Sequence, residues 1–245
     1  NVIFPVSLEQ ICDGAFYQCS NLTSIDLRCL NLKRLGQYAF AGCEALKEFK
    51  MPTGIKIIEE GVFKGCTSLE KFEFPPQLEE IKENAFCDCK SLTTLHLPRT
   101  VLKIGGSAFR NCNKLEIFEI PEILSIVNDI DNIPENQPIQ TNVSFVISDH
   151  CFEGCTKLKH LTINEISKLT IDVKAFCKCS SLENVFLNVS SDTEIKDSAF
   201  EDCQELSTVE FISNNSNSLT IGRAVFKNCN SITEINFPLK TNVDN

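Results

Sequence analysis

Nine phenylalanines, Phe16, Phe40, Phe63, Phe86, Phe109, Phe152, Phe176, Phe200 and Phe226, are each followed three residues later by a cysteine: Cys19, Cys43, Cys66, Cys89, Cys112, Cys155, Cys179, Cys203 and Cys229. Successive phenylalanines lie 24, 23, 23, 23, 43, 24, 24 and 26 residues apart. One frame recurs around each: a small residue, Phe, two variable residues, Cys, two variable, an aliphatic residue that is usually Leu, two variable, apolar, one variable, apolar, and often Pro. Self-similarity at such a period confines the chain to repeat architectures, whatever its local propensities.

Each part of the frame has a local reading. Between Phe and Cys the apolar spacing suits a single helical turn that points the small residue, Phe and Cys inward. The apolar, polar, apolar alternation that follows, as in Leu95 and Leu97, suits a short strand with one buried face. Pro98 lacks a backbone donor and ends that strand. Beyond the proline, apolar residues return at plus three and plus six, as in Leu78 with Ile81, Val101 with Ile104 and Ile55 with Ile58, so a second extended segment is expected. Burying about seven apolar side chains at roughly 2 kcal/mol each falls short of roughly 1.5 kcal/mol per residue of ordering entropy over about 23 residues. A coil therefore needs its neighbours, and stability becomes a sum over coils and the interfaces between them.

This frame resembles the BspA-like, or Treponema pallidum type, leucine-rich repeats, and the resemblance covers residues 1 to 238 apart from one insertion. It implies an α/β solenoid: a right-handed leucine-rich-repeat superhelix of about nine repeats, with short strands on one face, short helical turns and one inserted loop. It also implies a cell-surface or secreted binding protein of bacteria or parasitic protists, adhesin-like toward host matrix and plasma proteins such as fibronectin and fibrinogen, with no catalytic residue to carry over. A repeat solenoid presents whatever its variable positions encode, so fold alone does not fix function.

The expected organisation is one repeat domain over residues 1–245, with an insertion at about 122–145 where the period is broken. The stretch "IVNDIDNIPENQPIQTN" has the Asn, Asp and Pro density of an exposed loop, and a degenerate repeat built on Leu124 and Val127 is the other reading. Asp129 and Asp131 lack the glycine and distal Glu of a calcium loop. The first residues match the end of a strand and the last ones complete another, so the chain reads as a segment of a longer array.

A net charge of -10 disfavours nucleic acid and anionic lipid, whose phosphates need Lys and Arg. No apolar run is long enough to span a membrane. The fourteen cysteines follow the repeat period more than a disulfide framework, and the ladder members read as small buried hydrophobes with inert thiols. Cys87 and Cys177 stand one past Phe, Cys12 and Cys29 lie on the extended segments, and Cys151 replaces the usual Ala. The sharpest metal candidate groups His150, Cys151, Cys155 and His160, but two of these are frame positions and His160 falls on the opposite, outward side of a strand, which a tetrahedral site does not allow. No nucleophile signature or phosphate loop is present, so neither a catalytic residue nor a metal or other cofactor is expected.

What remains is a surface. Strand positions eight and ten after each Phe are expected to face outward, and most are polar. Ile117 and Phe186 are not, and large apolar groups rimmed by polar ones mark contact sites. With His96, His160, Glu73, Glu119 and Glu210 they form the candidate binding residues for a protein ligand. A structural spacer or intracellular interaction scaffold is the alternative role.

Overall fold

The computed structural model describes residues 2–28, 31–120, 144–189, 192–212, 218–237 and 241–243. Its strands form two parallel ladders running along the coils. The front ladder holds the frame strands: β2 (Ser24–Asp26), β4 (Glu48–Lys50) and β6 (Lys71–Glu73) in one sheet, then β8 (Thr94–His96), β10 (Ile117–Ile120), β12 (His160–Ile166), β14 (Asn184–Val189), β16 (Thr208–Ile212) and β18 (Glu234–Asn236) in another. The back ladder is built from the second extended segments. It starts with β1 (Gln10–Ile11) and β3 (Arg34–Leu35), and continues with β5 (Ile57–Ile58), β7 (Glu80–Ile81), β9 (Lys103–Ile104), β11 (Ser144–Ile147), β13 (Lys168–Ile171), β15 (Thr193–Ile195), β17 (Leu219–Ile221) and β19 (Thr241–Val243). Strands are thus found on two faces, where the sequence led us to expect them on one. The second segment alternates an exposed and a buried residue, as in Ile57 and Ile58, so it too has one inner face and pairs coil to coil.

The expected helical turns are a further correction, and with them the α/β assignment: among the described residues there is no α-helix, and the molecule is a β-solenoid. The segment around Phe is a third ladder of a different kind. Phe16, Phe40, Phe63, Phe86, Phe109, Phe152, Phe176 and Phe200 each donate their amide N–H to a carbonyl of the next coil, on the residue just before its Phe. The residues two before and two after Phe donate to the next coil as well, as Gly14 does to Gln37 and Gln18 to Ala41. The intervening amides reach only three residues back, as Cys19 N–H does to the Phe16 carbonyl. The backbone permits this alternation because the residues two before and two after each Phe are left-handed, with φ between 53° and 76° at all eighteen positions. An α-helix needs right-handed residues throughout and every amide turned four back along its own chain. Five of those positions are glycine; the other thirteen accept the left-handed strain, which persists only where surrounding contacts over-determine it.

The core lies between the ladders. The nine frame phenylalanines form one stack, with neighbouring ring centroids 5.0, 6.0, 5.2, 5.2, 5.3, 5.1, 5.3 and 5.8 Å apart and planes within 21° of parallel, so the nine rungs enclose about eight turns. Each cysteine after the first sends its thiol to the Phe carbonyl of the coil before it: Cys43 to Phe16 at 3.2 Å, Cys112 to Phe86 at 3.3 Å, Cys155 to Phe109 at 3.2 Å, and so through to Cys229 and Phe200 at 3.0 Å. Cysteine at this position is both a small apolar filler and a donor.

Leu124, Val127, Asp129 and Asp131 lie outside the described residues, as does Cys29, while Ser144 and Phe145 open β11. The coils on either side of residues 121–143 touch directly. β9 pairs with β11, β10 pairs with β12, and Phe109 stacks on Phe152. Phe109 therefore holds the array together at its longest interruption in sequence. Phe109→Ala is expected to lower unfolding stability by about 3–5 kcal/mol, read as a fall in the urea midpoint; a loss no larger than that of an exposed substitution such as Lys90→Ala would show that the stack carries no such weight.

Candidate interaction face

The candidate residues sit on the front ladder, and their places follow from its register. Thr94, Ile117, His160, Asn184, Thr208 and Glu234 are partners across successive strands and make one row. His96, Glu119, Thr162, Phe186, Glu210 and Asn236 make the second row, two residues along. Between the rows the residues Leu95, Phe118, Leu161, Val185 and Val209 are buried. Period-two alternation thus turns both rows away from the core.

The structure brings some candidates together and separates others. Ile117, 43% exposed, is the direct partner of the exposed His160, whose Nδ1 lies 3.3 Å from Asn184 Nδ2. Phe186 is half-buried and stands between Thr162 and Glu210. His96 is exposed in β8, two strands from Thr162; Glu119 holds the register position between them, and its side chain lies outside the described residues. Glu73 belongs to the separate three-stranded sheet, beside Lys50.

The four potential metal ligands are dispersed. Cys151 and Cys155 are buried in the core, His150 pairs with Glu153 on the turn ribbon, and His160 is exposed on β12. Among the described residues, no three His, Cys, Asp or Glu side chains come together as a metal would require. Glu153 itself is a feature the frame did not reveal. Nearly buried, it meets His150 Nδ1 at 2.8 Å, Arg110 Nε at 3.1 Å and Lys178 Nζ at 3.7 Å, gathering partners from three coils. Its position, one after Phe, varies from repeat to repeat, so only the opposite signs of Arg110 and Glu153 on adjacent coils could have signalled it.

The match to a family model of the BspA-type leucine-rich repeat region covers residues 1–116 and 135–245, in six copies. The chain belongs to the BspA-type leucine-rich repeat family. Among solved structures, it is similar to the T. pallidum leucine-rich repeat protein, with 27% identity, a TM-score of 0.59, and 74% of this chain and 77% of that one covered. A leucine-rich repeat protein from Bacteroides ovatus shares the fold at 19% identity, with a TM-score of 0.60 over 96% of this chain and 78% of that one. No curated protein matches the chain. BspA-type repeats, like leucine-rich repeats generally, serve as protein-interaction modules and are typically non-enzymatic.

The thiols of this BspA-type array differ sharply in reactivity. Thirteen described cysteines are free; Cys12 and Cys19 are exposed, whereas Cys89, Cys112, Cys151, Cys155 and Cys179 are wholly buried. Burial pushes those five thiols well above the ordinary range, and it raises Cys43 to about 11; Cys87 is held at about 11 by burial and then by the Asp88 carboxylate. Since the thiolate is the nucleophile, a disulfide reagent at pH 8 should titrate Cys12 and Cys19 quickly and the buried set only on unfolding. The same shifts set a sign on stability. A thiol whose folded pKa is raised stays protonated while the unfolded chain ionises near 9, so the urea midpoint should fall as pH rises from 9 toward 11. A midpoint flat across that window, or buried thiols that react natively, would contradict the described core.

Proposed function

We propose that this chain is a non-enzymatic protein-binding module, displayed at a cell surface or secreted, which engages host or neighbouring-cell proteins through the outward rows of β8–β18. The observation that supports this reading most directly is Ile117, a large aliphatic side chain 43% exposed in an otherwise polar row, with Phe186 half-buried in the adjacent row two strands on and Ile212 exposed beyond it on β16. Exposed apolar groups with a polar rim are the usual anatomy of a contact surface. Family membership supports the interaction role, and the resemblance to BspA-like proteins supports the surface location and the adhesin-like use.

A binding screen of the chain against matrix and plasma proteins tests the reading. For any partner found, Ile117→Ala and Phe186→Ala are each expected to weaken affinity by at least roughly tenfold, the loss typical of a central contact residue. A repeat array acting only as a spacer would leave every such affinity unchanged. Surface proteolysis of intact cells provides the second arm: protection of the chain in whole cells, with cleavage only after lysis, would remove the surface location.

A further inference from the structure

The front face differs from the rest of the surface in how its charges are balanced. Across β8–β18 the two outward rows carry Glu119, Glu210 and Glu234, and no Lys or Arg. Elsewhere many acids and bases pair within the molecule. On the back ladder Lys33 meets Glu9, Lys56 meets Glu79 at 2.7 Å and Lys103 meets Glu80. Along the turn ribbon Lys82 meets Glu59, Lys196 meets Asp172, Lys227 meets Glu201, and Glu153 meets Arg110 and Lys178. The first two front strands carry such pairs too: Lys50 lies 3.0 Å from Glu48, and Asp26 is held down to about 2 by hydrogen bonds from Arg28. Among the described residues, no ion pair falls within the outward rows of β8–β18. Glu234 accepts a hydrogen bond from Asn236 at 2.9 Å, and no cation reaches either Glu210 or Glu234.

We infer that the β8–β18 face takes a cationic protein segment, one whose Lys or Arg side chains meet Glu210 and Glu234 while an apolar side chain rests against Ile117 and Phe186. This deepens the reading of the face as a binding surface and rests on it. Carboxylates left without a cationic partner can pair with an incoming base without first breaking an ion pair, and Arg in particular binds carboxylate in two-pronged geometry. The five strand spacings from β8 to β18, at about 4.8 Å each, give a track about 24 Å long, the reach of an extended segment of about seven residues. A partner bearing acidic side chains would instead meet unneutralised like charge at Glu210 and Glu234.

The probe is a short labelled peptide alternating arginine with leucine through flexible spacers, titrated against the intact chain at low salt. A matched peptide with glutamate for arginine serves as the control. The variants are Glu210→Gln with Glu234→Gln, Phe186→Ala, and Glu194→Gln, the last removing an exposed carboxylate on the back ladder. Binding of the arginine peptide that falls roughly tenfold in the front-face carboxylate variant and in Phe186→Ala, weakens with added salt, and survives Glu194→Gln supports the inference. An equal loss on Glu194→Gln would show attraction to the net charge alone and overturn it. Failure of the arginine peptide to bind, or equal binding of the glutamate peptide, overturns the cationic specificity. In that case a screened partner that still loses affinity on Ile117→Ala leaves the binding face standing, and one that does not removes both. The front-face variants should unfold at the urea midpoint of the parent chain, because the exchanged groups lie outside the core.

Discussion

Every coil of this protein leaves its backbone half-bonded until another coil lies against it. Within each sheet of the two strand ladders, and along the turn ribbon, neighbouring coils pair in parallel, so that one translation satisfies three sets of hydrogen bonds together. That requirement explains the left-handed residues. Two per coil, placed symmetrically around Phe, are what turn alternate amides outward to the neighbour, and the thirteen that are not glycine hold an unfavourable conformation because the ribbon fixes them from both sides. The phenylalanine stack then follows, since coils locked in register place identical side chains over one another.

Cysteine at the fourth position of the ribbon answers a specific demand. The Phe carbonyl accepts its own coil's Cys amide and has a second lone pair turned toward the next coil, in a space too small for most polar side chains. A thiol fills that space, is apolar enough to be buried, and donates to the carbonyl at 3.0 to 3.3 Å. The buried frame cysteines therefore serve as packing groups and donors, and the raised pKa values of Cys43, Cys89, Cys112, Cys155 and Cys179 follow first from burial. Serine would supply the donor at a greater desolvation cost, and alanine would supply the volume without the donor.

Much of this was legible in the sequence because a repeat multiplies weak signals. One Phe with one Cys three residues on says little, whereas nine such pairs fix the coil, the core positions and the outward rows of the front strands. Two features were misread for the same reason: apolar spacing reports which side chains face inward and is silent about where the amides go. Small residue, Phe and Cys at spacings of one and three fit a helical turn, and they fit equally a ribbon bonded to its neighbours. Only the recurrent Gly, Asn and Asp around Phe, residues that tolerate positive φ, hinted at the second. The back segments were likewise expected as extended chain, from Leu78 with Ile81, but not as a ladder, since the spacing is silent about their pairing from coil to coil. The contacts of Glu153 were hidden because Arg110 and Lys178 come from other coils, one of them across the longest gap in the period.

A parallel sheet ordinarily has both faces covered, because the strands feeding it are crossed over by other elements. In a solenoid one face is covered by the core and the other stays bare, so the outward rows experience no packing constraint from the fold. Their residues can then vary without cost to the ladder, and charge matching there is a matter of composition alone. On the back and along the ribbon, several such pairs form from coil to coil. Among the described residues none forms within the outward rows of β8–β18, and Ile117, Phe186 and Ile212 put apolar side chains on the same six strands. Folding requires neither departure, since the buried positions between the rows keep the alternation intact.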